Sequence, residues 1–283
     1  MGLINQAPTV VTQSPERGRG GWGGRTFIQP HQETGVYIGI IIQTMPQGVP
    51  SFQKSGFCDK GLFMEMENSV LLTEGAKVFG IYLNEKAVRA FDVYLKELLR
   101  WNQKINLTAI RSEKGVVLKH FVDSLSVAPY LPERSSILDI GSGAGFPGIP
   151  LKIAHPPLRI TLIDSVQKKI DFQKHIIRAL GLKGIEAIHG GAQDTEILQS
   201  LGGRLDITLS RAFSDLRTFL ALSFPFLKGG GTAIAMKGEV DDKETRRVAE
   251  MKGTPYRLKR TVKLALPFSH FKRTILFFEK QQV

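Results

Sequence analysis

The residues with the clearest capacity for chemistry lie in one stretch, Ser136-Ile137-Leu138-Asp139-Ile140-Gly141-Ser142-Gly143-Ala144-Gly145-Phe146-Pro147-Gly148. A short apolar run ends in an aspartate and opens onto a G-x-G-x-G loop. Beyond the loop, Ile149, Leu151, Ile153 and Ala154 begin another apolar segment. That order reads as strand, tight turn and helix N-terminus. Glycines let the backbone approach a ligand closely and take positive φ, and a helix start offers unpaired N–H groups. Phe146 stands where a dinucleotide-binding G-x-G-x-x-G needs its third glycine. The bulky ring suits a ligand without a pyrophosphate. Asp164 closes the next apolar run, 23 positions after Gly141, where an acidic residue can grip a ribose. That aspartate is compatible with NAD and equally with S-adenosylmethionine. With Phe146 beside it, we read an S-adenosylmethionine-type nucleoside site.

Those residues need a scaffold that brings strand ends together. From Ser136 onward, strand and helix patterns alternate. Strands are expected at 136–140, 159–163, 185–189, 204–210, 232–237, 256–265 and 273–279. Helices are expected at 147–154, 166–180, 193–201, 214–227 and 241–251. Lys228-Gly229-Gly230-Gly231 reads as the C-terminus of the helix 214–227, with glycine just past the last apolar residues. Alternation of this kind predicts a mostly parallel sheet with helices on both faces, and the last two strands should form an antiparallel hairpin. Seven strands ending in a hairpin is the Rossmann-like layout of S-adenosylmethionine-dependent methyltransferases. Ligands in such α/β sheets sit beyond the carboxyl ends of the strands. That gathers the glycine loop, Asp164-Ser165, Gly191 to Asp194, Ser210-Arg211-Ala212-Phe213 and Lys237-Gly238. Arg211 reads as a cofactor or RNA contact. Asp139 is either a ligand contact or an acceptor for N–H groups of its own loop, and Lys237 either meets phosphate or is solvated.

In front of the loop, Val88, Phe91, Leu95, Leu98, Leu99 and Asn102 recur at helical spacing, with Lys86, Arg89, Asp92, Lys96 and Arg100 off that stripe. A second helix is expected from Ser112, a suitable N-cap, to about Leu125. These make a small helical cap over 64–132, ahead of a ligand-binding domain over 133–283. His120, with Asp123 three residues on, reads more naturally as a structural hydrogen-bonding residue than as a base. Residues 1–63 differ: they hold 11 of the 29 glycines and 5 of the 14 prolines, including an Arg-Gly-rich run at 17–25. Such a composition does not bury enough surface to offset its ordering entropy, so a disordered, dispensable extension is expected, with Met64 or Met66 as an alternative start.

The whole chain of 283 residues carries a net charge of +12. Residues 64–283 hold 33 Lys and Arg against 23 Asp and Glu, so the basic character belongs to the folded part. A polyanion, with nucleic acid first, is the partner this implies. One cysteine excludes an intramolecular disulfide and fits a cytoplasmic home, and no apolar run is long enough for a membrane span. The six histidines lack metal-ligand spacing. No metal is expected, and a monomer is.

The chemistry that is missing narrows the target. Amino-group methyltransferases use an Asn/Asp-Pro-Pro-aromatic motif after the fourth strand, where this chain has Ser210-Arg211-Ala212-Phe213. Cytosine-C5 methylation needs a nucleophilic cysteine, and the single one, Cys58, lies in the N-terminal extension. A target that is already a nucleophile is consistent with this. Guanine N7 fits, because its in-plane lone pair carries no proton to remove.

Several separated motifs resemble the RsmG (GidB) family of small-subunit ribosomal RNA guanine-N7 methyltransferases. They are Trp101-Asn102-x-x-Ile105-Asn106-Leu107-Thr108, His120-Phe121-Val122-Asp123-Ser124, Asp139 to Gly148, Asp164-Ser165 and Ser210-Arg211-Ala212-Phe213. The resemblance covers roughly 70–283. It implies methylation of a guanine in the small ribosomal subunit, with S-adenosylmethionine as donor. It places cofactor contacts at Gly141, Phe146, Ala192, Gln193 and Arg211, with Asp164 near the ribose. Where the family reads Arg-x-Glu after the third strand, this chain has Gly191 and Gln193.

Overall fold

The computed structural model describes residues 64–211, 215–240 and 255–281. The glycine-rich extension 1–63 and the helix expected at 241–251 lie outside the described residues. Seven strands form one sheet: β1 (Ser136–Ile140), β2 (Arg159–Asp164), β3 (Ile185–His189), β4 (Leu205–Ser210), β5 (Leu227–Lys237), β6 (Tyr256–Ala265) and β7 (Lys272–Lys280). Their order is β3-β2-β1-β4-β5-β7-β6. The pairs among β1 to β5 are parallel, and β7 runs antiparallel to both β5 and β6. This is the Rossmann-like methyltransferase layout that the pattern predicts, closing on its antiparallel hairpin.

Parallel strands buried on both faces explain the near-continuous Ile and Leu runs of β1, β2 and β4. One core layer joins Ile137, Leu162, Leu209 and Met236 of the sheet to helices α5 (Gly148–Ala154) and α6 (Gln167–Ala179). The opposite layer joins Leu138, Ile163, Ala235 and Phe278 to α7 (Thr195–Leu201) and α8 (Leu216–Ser223).

The N-terminal helices add to the first layer. They are α1 (Met66–Val78), α2 (Glu85–Asn102), α3 (Glu113–Val116), a π-helical segment Val117–Val122, and α4 (Asp123–Leu125). Asn84 caps α2 by accepting from the Ala87 N–H, and Ser112 caps α3 by accepting from Gly115. The Tyr94 ring lies 5.2 Å from Phe121, 5.4 Å from Phe146 and 6.2 Å from Phe172. Side chains of the cap and of the sheet layer thus share one apolar core. Each fully buried ring contributes roughly 1.5–3 kcal/mol.

One expectation needs correction. The run Lys228 to Gly231 does not end a helix. α8 stops at Ser223, and β5 begins at Leu227, so the glycines lie within the strand. They form a register irregularity, in which Leu205 pairs with Leu227 but Ile207 pairs with Thr232. Gly230 has φ +76°, and a Cβ on Gly231 would sit 3.1 Å from the Lys228 carbonyl oxygen and 3.2 Å from that of Asp206. The glycines serve a close backbone approach rather than a cap. A further helix, α1, lies within the span 64–132 given to the helical cap, although no apolar stripe announces it. Its buried residues are Asn68, Leu71, Leu72, Gly75 and Ala76, a small and partly polar face. A Cβ on Gly75 would press on Val122, so the helix lies close against the π segment.

Candidate active site

The carboxyl ends of β1 to β5 carry the predicted residues along one edge of the sheet. The loop after β1 is fastened at almost every residue. The N–H groups of Gly141 and Ser142 both donate to the Ile163 carbonyl, at 2.9 and 3.0 Å. Asp164 accepts from the Gly143 N–H at 2.8 Å and from Val166 N–H at 2.9 Å. Gln173, fully buried on α6, donates to the Ser142 hydroxyl at 2.8 Å and the Gly143 carbonyl at 2.7 Å. Tyr94 reaches from α2 and donates to the Ala144 carbonyl at 2.6 Å. Burial holds the Tyr94 phenol well above its ordinary pKa, so it remains a donor.

The glycines are conformational requirements here. Gly141, Gly143 and Gly145 have φ of +70°, +60° and +97°. A Cβ on Gly143 would meet nothing within 4 Å, which leaves an open backbone surface at the turn. That open cradle, with the Asp164 carboxylate beneath it, fits a nucleoside such as that of S-adenosylmethionine. Asp139 lies wholly buried under the loop. One oxygen accepts from the Gly148 N–H at 2.9 Å, and the other has no partner among the described residues. Burial raises its pKa to about 8, against the lowering effects of the Gly148 N–H and of Arg211. The acceptor reading of Asp139 within its own loop is therefore the observed one.

Arg211, at the mouth of β4, is bound to the π segment. Its guanidinium donates to the Lys119 carbonyl at 3.2 Å and to His120 Nδ1 at 2.9 Å, and lies 3.5 Å from Asp123 Oδ2. It also sits 5.0 Å from the Phe146 ring centroid. Arg273, from β7, grips the same Asp123 through Nε at 2.8 Å and Nη2 at 3.1 Å. Asp123 is thus a buried carboxylate between two arginines. His120 accepts from Arg211 at Nδ1, so its Nε2 carries the proton and donates to Thr108 Oγ1 at 2.7 Å. Its ring stacks on Phe146 at 4.4 Å and 16°. Burial, followed by the neighbouring Arg211 charge, lowers its pKa to about 3. His120 is neutral, with both nitrogens engaged.

A π-helical turn widens the backbone and presents groups that a regular α-helix would separate. Here it turns the Lys119 carbonyl, the His120 ring and, just beyond it, the Asp123 carboxylate toward Arg211. The Trp101-to-Thr108 motif supports the same cluster. Asn102 accepts from the N–H groups of Leu107 and Thr108 at 2.9 and 3.0 Å and donates to the Thr108 carbonyl at 2.9 Å. It thereby fixes the residue that receives His120.

The structure brings Gly141, Phe146, Asp164 and Arg211 into one connected set. Phe146 is buried, with its ring between Tyr94 and His120. Ala192 is buried and Gln193 exposed after β3, beside a turn in which Asp194 accepts from the Gly191 N–H at 2.8 Å. Ala212 and Phe213 lie outside the described residues. Tyr94, Gln173 and Arg273 are not singled out by the sequence, and Thr108 enters there only as the end of the Trp101-to-Thr108 motif. Tyr94 is distinguished in the sequence only by being a large side chain on the α2 stripe, and Arg273 by nothing local.

Comparison with known proteins finds relatives of this chain. A family profile described as GidB, rRNA small subunit methyltransferase G, matches residues 87–273. The ribosomal RNA small subunit methyltransferase G of Acetivibrio thermocellus is 36% identical over 219 residues, covering 76% of this chain and 90% of that protein. Its counterpart in Geobacter metallireducens is 41% identical over 216 residues, covering 75% of this chain and 96% of that one. A solved structure of M. jannaschii TYW2 in complex with AdoMet aligns with TM-score 0.48 and 17% identity, over 63% of this chain and 80% of that one. On the family profile and the extent of these matches, the chain belongs to the rRNA small subunit methyltransferase G (GidB) family.

Proposed function

We propose that the protein transfers a methyl group from S-adenosylmethionine to N7 of a guanine in small-subunit ribosomal RNA, without a catalytic base. One observation carries the reading. The histidine at the mouth of the candidate site has both nitrogens engaged and a pKa lowered to about 3. The nearby carboxylates are held in place: Asp123 by two arginines, Asp164 by backbone N–H groups, and Asp139, with one oxygen unpartnered among the described residues, wholly buried beneath the loop. A site whose histidine is neutral and engaged at both nitrogens suits a target with no proton to lose.

The Gly141–Gly145 turn would hold S-adenosylmethionine, which would supply an electrophilic methyl group to N7. Asp164 would accept from the ribose hydroxyls through its remaining lone pairs, and Gly143 would let the nucleoside approach the backbone. Phe146, braced by Tyr94 and His120, would shape the wall beside the reacting methyl. Ala192 and Gln193 would face the adenine end, and Arg211 would hold the π segment against that wall. The acceleration would come mainly from alignment and exclusion of water. This reading places the work in the cytoplasm, on the small ribosomal subunit, with the protein acting as a monomer.

The test is methyl transfer from labelled S-adenosylmethionine to small ribosomal subunits, with chemical mapping of N7-methylguanosine. One modified guanine N7 is expected. Transfer to another atom, or none, refutes the reading.

A further inference from the structure

The tip of the β6–β7 hairpin carries two large aromatic residues that do not pack into the core. Phe268 is 47% exposed and Phe271 41% exposed. Phe268 also has φ +56°, the one positive φ at a non-glycine residue among those described. A bulky side chain is a poor choice for that backbone, where glycine or asparagine would be unstrained. Nothing in the hairpin's own closure calls for an aromatic ring there. The turn is closed by the Leu266 N–H donating to the Phe271 carbonyl at 2.8 Å and by the Ser269 hydroxyl donating to the Leu266 carbonyl at 3.0 Å. Leu266, not Phe268, anchors the turn in the interior. An exposed ring held on strained backbone points to a task outside the fold.

The charges around the tip indicate the partner. The Lys119 ammonium lies 4.4 Å from the Phe271 ring centroid. His270 and Lys272 flank Phe271 and are exposed, and Lys272 meets Glu239 at 2.7 Å. The tip also adjoins the candidate active site. Lys119 precedes His120 on the π segment, its carbonyl receives Arg211, and Arg273 of the same hairpin holds Asp123. Exposed aromatic rings interleaved with basic side chains, at the edge of a site whose target is a nucleobase, match the way proteins hold unpaired nucleotides. Bases stack on the rings, and cations follow the phosphates.

We infer that the β6–β7 hairpin tip is a stacking platform for unpaired nucleotides of the substrate RNA, with Phe268 and Phe271 as its rings and Lys119 and Lys272 beside them. This deepens the proposed function and rests on RNA being the substrate.

The test uses the full chain and three probes: small ribosomal subunits, an unstructured oligouridylate, and S-adenosylmethionine. Phe268→Ala should weaken oligouridylate binding about 5- to 100-fold. It should raise KM for subunits while leaving S-adenosylmethionine affinity unchanged. Phe268→Tyr should restore binding, and Phe268→Leu should not. Phe268→Gly relieves the positive φ, so it should keep or raise Tm and still bind RNA weakly, which separates stacking from folding. Wild-type affinity for oligouridylate in Phe268→Ala and in the Phe268→Ala, Phe271→Ala pair would overturn the inference. So would a defect on subunits with normal oligouridylate binding, which would indicate a ribosomal protein contact. If the wild-type protein itself transfers no methyl group to RNA, the proposed function fails first. If it does, and the phenylalanine variants match it, only this inference fails.

Discussion

Replacing His120 by glutamine should change how stability depends on pH, by an amount that follows from its burial. The neutral ring accepts from Arg211, donates to Thr108 and stacks on Phe146. Its pKa falls to about 3 in the folded chain, whereas an unfolded histidine titrates near 6.5. Between those values the unfolded state binds the proton and the folded state does not. Its contribution is therefore fully present above about pH 6.5 and is lost as pH falls from there toward 3. Each unit in that window costs about 1.4 kcal/mol, so moving from about pH 7 to about pH 5 removes about 2 kcal/mol. At pH 5 that figure depends on the unfolded value alone, since the folded group is still unprotonated. Glutamine does not titrate, and its side-chain oxygen can still accept from Arg211. Urea unfolding of wild type and H120Q at both pH values isolates the effect as a double difference. The stability gap should shift by about 2 kcal/mol in favour of the variant at the lower pH. A gap that stays constant would refute the buried neutral histidine. The same variant should keep methyl transfer with a wild-type pH profile, and loss of an ionisation near 6.5 would instead make His120 a base.

Other substitutions test the loop and its supports. Asp139→Asn should show the opposite pH sign: the folded pKa, about 8, lies above that of an unfolded aspartate, so the wild-type contribution is present below about pH 4 and is lost as pH rises toward 8. The variant should gain about 1.4 kcal/mol per pH unit on wild type across the middle of that window, and equal slopes in denaturant unfolding would sink the idea. Asn102→Ala removes three hydrogen bonds from the turn that positions Thr108 and should cost about 1–3 kcal/mol by urea unfolding. Gly145→Ala forces a Cβ onto φ +97°, into Ile149 and within 3.0 Å of the Tyr94 hydroxyl, costing about 1–3 kcal/mol in strain. Its Tm should drop clearly, and an unchanged Tm would show that the turn can relax. Asp164→Ala should weaken S-adenosylmethionine binding by about 1–3 kcal/mol in calorimetry, and unchanged affinity would remove Asp164 from the ribose position.

What could be read from the sequence was whatever depends on neighbours in the chain. The strand, glycine turn and helix around Gly141 are local, and Asp164 follows from the end of the next apolar run. Both appear where the spacing puts them. The Lys228-to-Gly231 run failed because glycine before an apolar segment signals either a helix end or an irregular strand entry. The choice was made by Asp206, whose carbonyl lies close to Gly231 from a neighbouring strand. α1 was missed because it buries an asparagine and a glycine. The cluster around Asp123 was out of reach for another reason: its partners come from β4 and from β7, the latter 150 positions away. No local pattern encodes that pairing, and the π segment that permits it has no compositional signature.

The position of β7 has a consequence for how the molecule is made. It follows every other described strand in the chain, yet it lies in the sheet interior, between β5 and β6. While the chain emerges from a ribosome, β5 and β6 exist before the strand that separates them, so the gap must stay unfilled until β7 arrives. Arg273 arrives with it, and only then can Asp123 be neutralised from both sides. Until that point Asp123 is a carboxylate with one arginine missing, in a setting where an unpaired charge is costly. The candidate site is therefore complete only once β7 has taken its place in the sheet. A chain that lacks β7 should hold the Asp123 cluster with Arg211 alone.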